Sequence, residues 1–375
     1  MTQAERGHKA SPHLAVVKIG SSSLTDGRGE IRQEAIEKLC AEVADLRARG
    51  DRVVVVSSGA IAAGLPVLGL TDPRPTDPAI LQAVSAVGQT LLVGHYNRAL
   101  SKHGLIGGQV LLAPLDFVHR QQYLHARQTL RVLLELGVVP VVNENDAVAD
   151  DEIRFGDNDR LAALVSHLIR ADVLVLLTDA PGLLTGDPRI ESGASLIEEI
   201  VEVDHQLEAV AGGPGTPQGS GGMASKLAAA KIAAWSGVRA VIAGAGRPSV
   251  VADAIDGVAG VGTVFVPRSQ RLPARKLWIA FAVGSSGTVV VDDGARAALL
   301  ERGVSLLPAG VLRAEGDFEV DDAVELAGPD GKVFAKGLVR HSSARVAALA
   351  GRRTSDLPAD VPHEVVHRDD LVLLP

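Results

Sequence analysis

LAVVKIGSSS, residues 14–23, sets an apolar run around a single lysine, Lys18, and follows it with one glycine and three serines. Six residues without polar alternation read as a strand buried on both faces of a mostly parallel sheet. The Gly/Ser segment then reads as a loop that opens a helix. The same grammar recurs outward along the chain in RVVVVS (52–57), GVVPVV (137–142), DVLVLLT (172–178) and VRAVIAG (238–244). Amphipathic stretches over 30–49, 79–103, 121–136 and 223–236 predict helices between these runs. Strands alternating with helices give a three-layer α-β-α sandwich with a mostly parallel central sheet, assigned to residues 12–268.

Beyond residue 266 the pattern changes. PRSQRLPARK (267–276) is polar, basic and proline-containing, so a linker is placed over 269–283. GTVVVDDG (287–294), DAVELAGPDGKVFAKGLVR (322–340) and HEVVHRDDLVLL (363–374) are short strand-like pieces, and 295–302 reads as a helix. Pro-Asp-Gly between two alternating runs is a hairpin signal. Residues 284–375 are therefore expected to form a small β-barrel-like module.

Composition narrows the function. A chain of 375 residues exceeds one ordinary core. With 46% hydrophobic and 22% charged residues it has the apolar content of a folded chain. Its formal net charge of −8 lacks the basic excess that binding a phosphate backbone leaves, so a dedicated nucleic-acid binder is not expected. Cys40 stands alone, which excludes an internal disulfide framework and a thiolate metal cage and fits a reducing cytoplasm. No stretch reaches the roughly 18 apolar residues of a bilayer span, and MTQAERGHKASPH carries no apolar signal core, so no membrane association is expected.

Scarce residues mark the chemistry. Lys18 ends the first strand, where a compact charge can meet phosphate while loop amides and a helix N-terminus add donors; a lysine snorkelling from a strand end is the other reading. Ser57, Ser58 and Gly59 close the second strand and open a helix, which suits an anion or a plain N-cap. Three of the four asparagines, Asn143, Asn145 and Asn158, lie close together in NENDAV (143–148) and FGDND (155–159). Both segments follow strand ends, where open α/β sheets bind ligands. Asn143, Asp146 and Asn158 suit a charged, polar small molecule, and Asp157 or Asp159 suits a carboxylate held between two lysines. Thr178 and Asp179 end the fifth run. Finally GSGGMASK (219–226) sets a Gly-rich loop ahead of a helix that carries Lys226 in its first turn, as close approach to phosphate demands. There is no GxxxxGK[ST] and no HRD or DFG set. HEVVH (363–367) matches HExxH, but it reads as a strand near the end of the sequence, so no metal ligands are assigned.

Taken together, VVKIGSSSLT (16–25), VSSGAIAAG (56–64), AVGQ (86–89), VVPVVNENDAV (138–148), GDNDRLAALV (156–165), LLTDAPGL (176–183), GSGGMASKLAAA (219–230), SLLPAG (305–310) and VHRDD (366–370) carry a resemblance over nearly the whole chain. The sequence resembles the glutamate 5-kinases, the branch of the amino acid kinase family that opens bacterial proline biosynthesis. The resemblance implies a C-terminal PUA domain. It implies that Lys18 and Lys226 stabilise the transferring phosphoryl group and that Asp157 holds those lysines. It implies that Ser58, Asp146 and Asn158 bind glutamate, with Asn143 nearby. Thr178, Asp179, Ser220, Gly221, Gly222, Met223, Ala224, Ser225 and Lys226 would contact ATP, accompanied by Mg2+. Ser220 replaces the family's usual threonine, and Ser21 to Ser23 replace a commoner Gly-Thr-Ser, both conservatively. Inhibition by L-proline and assembly into dimers or tetramers are also implied, and a complex with the next pathway enzyme stays open. The runner-up readings are a kinase for acetylglutamate, aspartate, carbamate or a nucleoside monophosphate, and RNA binding through the C-terminal module.

The residues agree with carboxyl phosphorylation. A glutamate γ-carboxylate, with a reference pKa of about 4.3, is already ionised at neutral pH and needs no general base. What remains is to align two anions and neutralise charge, which lysines, amide dipoles and Mg2+ can do.

Overall fold

The computed structural model describes residues 12–26, 30–117, 119–148, 158–186, 193–203, 207, 222–269, 271–281, 283–353 and 363–374. The chain divides into two compact units, Met1–Gln270 and Arg271–Pro375.

In the first unit the Val/Ile/Leu runs are strands. β1 (Leu14–Ile19), β2 (Arg52–Ser57), β3 (Gly107–Leu112), β4 (Val139–Glu144), β5 (Val173–Thr178), β6 (Glu199–Ile200), β7 (Arg239–Gly244) and β8 (Gly262–Phe265) form one sheet in the order β3-β4-β2-β1-β5-β7-β8-β6. Pairing is parallel from β3 through β7, and β8 runs antiparallel to β7. The carboxyl ends of β1, β2, β4 and β5 therefore share one edge, and that edge carries Lys18, Ser57, Asn143 and Thr178.

Helices α1 (Ser21–Leu24), α2 (Gln33–Arg49), α3 (Ala60–Val67), α4 (Pro78–Ser101), α5 (Arg120–Glu135), α6 (Asn158–Ile169), α7 (Met223–Trp235) and α8 (Val250–Asp256) complete the unit. Strand alternation decides which side chains meet which layer. Ala15, Val17 and Ile19 join one core with Ile36, Leu39 and Val43 of α2 and Val250 and Ala254 of α8. Lys18, in register with Val56 and Leu176, takes the opposite face, where α6 packs on β1 and α7 packs on α6.

One helix pair is unusually close. A Cβ at Gly88 of α4 would run into the backbone oxygen of Ala60, and one at Gly64 of α3 into that of Val84. Only glycine permits this approach. It brings α4 down onto the loop after β2, with Ser85, Gln89 and Tyr96 on its buried side.

The second unit holds β9 (Gly287–Val291), β10 (Val311–Gly316), β11 (Ala323–Ala327), β12 (Val333–Val339) and β13 (Val366–Leu373), ordered β10-β9-β11-β12-β13. β9 and β11 are parallel, and the other pairs are antiparallel. The hairpin read from Pro-Asp-Gly is β11–β12. The expected linker differs: Ala274–Phe281 within it is a helix, α9, that packs on β12 and β13. Its Leu277 and Ile279 are buried, and Arg275 lies 2.5 Å from Asp370, which also takes Arg340 at 2.8 Å. Basic residues there are one face of an amphipathic helix, which is why the stretch looks like a solvated connection. α10 (Asp293–Arg302) and α11 (Ser343–Leu349) complete this unit. Phe318 and Phe334 lie in its core and offer no stacking face. β13 begins at Val366, inside HEVVH, so the two histidines do not share a helix face.

Candidate active site

Lys18 is 2% exposed at the end of β1, and its ammonium sits 2.5 Å from Oδ1 of Asp159. Lys226, in the first turn of α7, donates to Oδ2 of the same carboxylate at 3.1 Å. Ser225 Oγ donates to that oxygen as well, at 2.7 Å. Burial opposes ionisation of Asp159, but Lys18 and Lys226, with hydrogen bonds from Lys18 and Ser225, outweigh it and hold the carboxyl below the usual carboxylate range. Two cations and one anion thus share a buried site at the carboxyl edge of the sheet. Asp157, expected to hold the lysines, lies outside the described residues. The carboxylate found between them is Asp159, which the first turn of α6 turns toward β1 and α7.

Beside this charged cluster lies an amide cluster. Asn158 Nδ2 donates to Asn143 Oδ1 at 2.8 Å, to Ser57 O at 3.0 Å and to Ser58 Oγ at 3.0 Å. Asn143 Nδ2 donates to Gln89 Oε1 at 2.7 Å. Ser85 Oγ donates to Asp146 Oδ2 at 2.5 Å, from the turn that follows β4. Ser57 Oγ and the Tyr96 hydroxyl are 2.8 Å apart, and burial raises the pKa of that phenol, so it stays neutral. The structure therefore brings together Ser58, Asn143 and Asn158 directly, and Asp146 through α4. Because Asn158 and Asp159 are adjacent in the chain, the amide and charged clusters are contiguous.

Ser85, Gln89 and Tyr96 receive no role from the sequence. Their signal is polar groups at i, i+4 and i+11 along one face of a helix otherwise rich in Ala, Val and Leu.

Thr178 ends β5 and donates from Oγ1 to Asp179 Oδ1 at 3.0 Å. Both border a cavity of about 490 Å³ at the ends of β1, β5 and β7, whose wall also includes Ser22, Ser23 and Lys38. Gly222 is the N-cap of α7 and has no side-chain cap hydrogen bond, so the first amides of Met223, Ala224 and Ser225 begin a helix with its positive end toward the lysine pair. Ser220 and Gly221 lie outside the described residues.

The comparisons with known proteins fit this geometry. The profile of the amino acid kinase family matches residues 13–244, and that of the PUA domain matches 287–359. The chain belongs to the amino acid kinase family, and it is a kinase. Its relatives include the glutamate 5-kinase of Pelobacter propionicus, 45% identical over 363 residues that make up 96% of this chain and 97% of the relative. The glutamate 5-kinase of Trichlorobacter lovleyi is 43% identical over 373 residues, 98% of this chain and 99% of the relative. That of Bifidobacterium adolescentis is 45% identical over 372 residues, 97% of each. Among solved structures, the carbamate kinase from Giardia lamblia bound to AMP-PNP aligns with a TM-score of 0.50 at 17% identity, covering 69% of this chain and 99% of that one, and supports the fold. Among the described residues, no helix is long and apolar enough to cross a membrane.

Proposed function

We propose that this kinase transfers the γ-phosphoryl group of ATP to the γ-carboxylate of L-glutamate, giving L-glutamyl 5-phosphate, the first step of proline biosynthesis. The observation that carries the reading is the Lys18–Asp159–Lys226 bridge set against the amide cluster of Ser58, Asn143 and Asn158. A cationic pair next to a polar, uncharged cradle suits a reaction between two anions, and its relatives bear the name of that activity.

In this reading Ser58, Asn143, Asp146 and Asn158 hold the amino acid. Thr178, Asp179 and the segment from Ser220 through Lys226 hold the nucleotide. Lys18 and Lys226 neutralise charge that builds on the phosphoryl oxygens, in a site from which burial has removed competing water. Asp159 keeps the two ammonium groups from repelling each other apart and fixes where they point. Ionised at neutral pH, the substrate carboxylate needs no base, which accounts for the absence of a histidine or cysteine among these residues. The residues fit a magnesium nucleotide: two buried lysines and the amide end of α7 face the same edge as Thr178 and Asp179. Mg2+ bound with ATP would supply further neutralisation of phosphate charge. Inhibition by L-proline and homo-oligomeric assembly belong to the same proposal.

Purified protein with Mg-ATP and L-glutamate, with hydroxylamine to trap acyl phosphate, tests it. Glutamate-dependent hydroxamate, suppressed by L-proline and absent with aspartate, acetylglutamate, carbamate or a nucleoside monophosphate, is expected. Turnover of one of those acceptors without turnover of glutamate would overturn the substrate assignment.

A further inference from the structure

Two backbone groups fix how the amide cluster is oriented. The N–H of Glu144 donates to Asn143 Oδ1 at 2.9 Å, so Asn143 must turn its Nδ2 toward Gln89, and Gln89 must answer with Oε1. The carbonyl of Ser57, which can only accept, lies 3.0 Å from the Asn158 amide, so Asn158 presents Nδ2 to it. With those orientations set, two buried polar atoms of the amide cluster have no hydrogen-bond partner among the described residues: the donor Nε2 of Gln89 and the acceptor Oδ1 of Asn158. Gln89 is 7% exposed and Asn158 9% exposed.

A buried donor left unpaired is destabilising, and its persistence within a polar cluster beside the lysine pair points to a ligand that completes it. One donor and one acceptor, both amides, match a molecule that carries carboxylate oxygen and ammonium hydrogen together. A hydrophobic ligand would leave both unpaired.

The chain of contacts also gives the ligand a direction. Asp159 and its two lysines adjoin Asn158, Asn158 bonds Asn143, and Asn143 bonds Gln89. Gln89 is thus the member of the amide cluster furthest along this chain from the lysine pair, where the reacting carboxylate must lie. We infer that Gln89 is a substrate-binding residue whose Nε2 holds the α-carboxylate of the amino acid, an inference that rests on the glutamate reading above. Its Oε1 orients Asn143 at the same time, so one side chain couples substrate recognition to the shape of the cluster.

The test is Gln89→Glu, which keeps an acceptor for Asn143 and replaces only the donor with a second oxygen. The KM for L-glutamate is expected to rise about 10- to 100-fold, the range of a lost hydrogen bond to a charged group. The inhibition constant of 4-aminobutyrate, which is glutamate without its α-carboxylate, should shift less than about threefold. Gln89→Met, which removes both groups, should raise the glutamate KM and also weaken 4-aminobutyrate, because Asn143 is then released. An unchanged glutamate KM in Gln89→Glu would overturn the assignment. So would an equal weakening of 4-aminobutyrate in that variant, which marks a merely structural role. If the unaltered protein forms no glutamyl hydroxamate, the functional reading fails first and this inference falls with it.

Discussion

Lys18 and Lys226 are neighbours in space because they share a carboxylate: β1 delivers one ammonium to Oδ1 of Asp159, and α7 delivers the other to Oδ2. Burying two ammonium groups at this depth is costly, and the shared carboxylate offsets that cost. The pairing turns two costly burials into one oriented site in which a single carboxylate sets two ammonium groups.

Lys18→Met and Lys226→Met should each lower kcat by about 10²- to 10³-fold, the usual loss when one donor to a developing charge is removed. The KM for glutamate should change by less than about threefold, because the amide cluster is untouched. Steady-state kinetics at saturating Mg-ATP measure both. A rise in KM with kcat preserved would assign the lysines to ground-state binding instead.

Much of this site is legible in the sequence, for physical reasons. A lysine inside an otherwise apolar strand must find a partner, and Asn and Asp crowded after strand ends have few structural uses. Which carboxylate serves the lysines is not legible, because Asp157 and Asp159 flank Asn158 in one short polar run and the sequence does not say which way either faces. The structure places Asp159 in the first turn described for α6, between the two lysines. Ser85 and Gln89 are hidden for a different reason. α4 is apolar nearly all round, so no amphipathic stripe distinguishes its buried face. The edge strand β3 is missed because GGQVLL pairs on one side only and opens with two glycines. The helix α9 is missed because only its first three residues fall in PRSQRLPARK, whose polar, proline-containing run precedes it, and eight residues are too few to show a helical period.

Ser85 holds Asp146 Oδ2 at 2.5 Å, so in the proposed glutamate site it would act on substrate through that carboxylate. Ser85→Ala should raise the glutamate KM by about three- to tenfold, in line with roughly 1 kcal/mol for one hydrogen bond, and leave the KM for ATP unchanged. Ser85→Thr, which keeps the hydroxyl, should recover most of the loss. Equal effects on both substrates would show that the helix, rather than the hydroxyl, is at issue.

Asp159 also links stability to pH. Its carboxyl titrates below its unfolded value in the folded protein, since Lys18 and Lys226 outweigh the opposing effect of burial. The stabilisation it contributes is therefore fully present above the unfolded pKa, about 3.9, and is lost as pH falls through the lower folded value. Urea unfolding of the unaltered protein and of Asp159→Asn should differ most at neutral pH, and the difference should shrink below about pH 4. A difference that stays constant into acid would mean that the carboxylate gains nothing from its lysines.

The central claim is that one buried carboxylate, Asp159, sets two lysines for phosphoryl transfer to a carboxylate held by the adjoining amides. The most direct measurement is glutamyl hydroxamate formation by Asp159→Asn, with kcat and the glutamate KM determined separately. A kcat lowered by about 10²-fold or more, with KM within about threefold, is the predicted result. A kcat close to that of the unaltered protein, or a loss confined to KM, would contradict it.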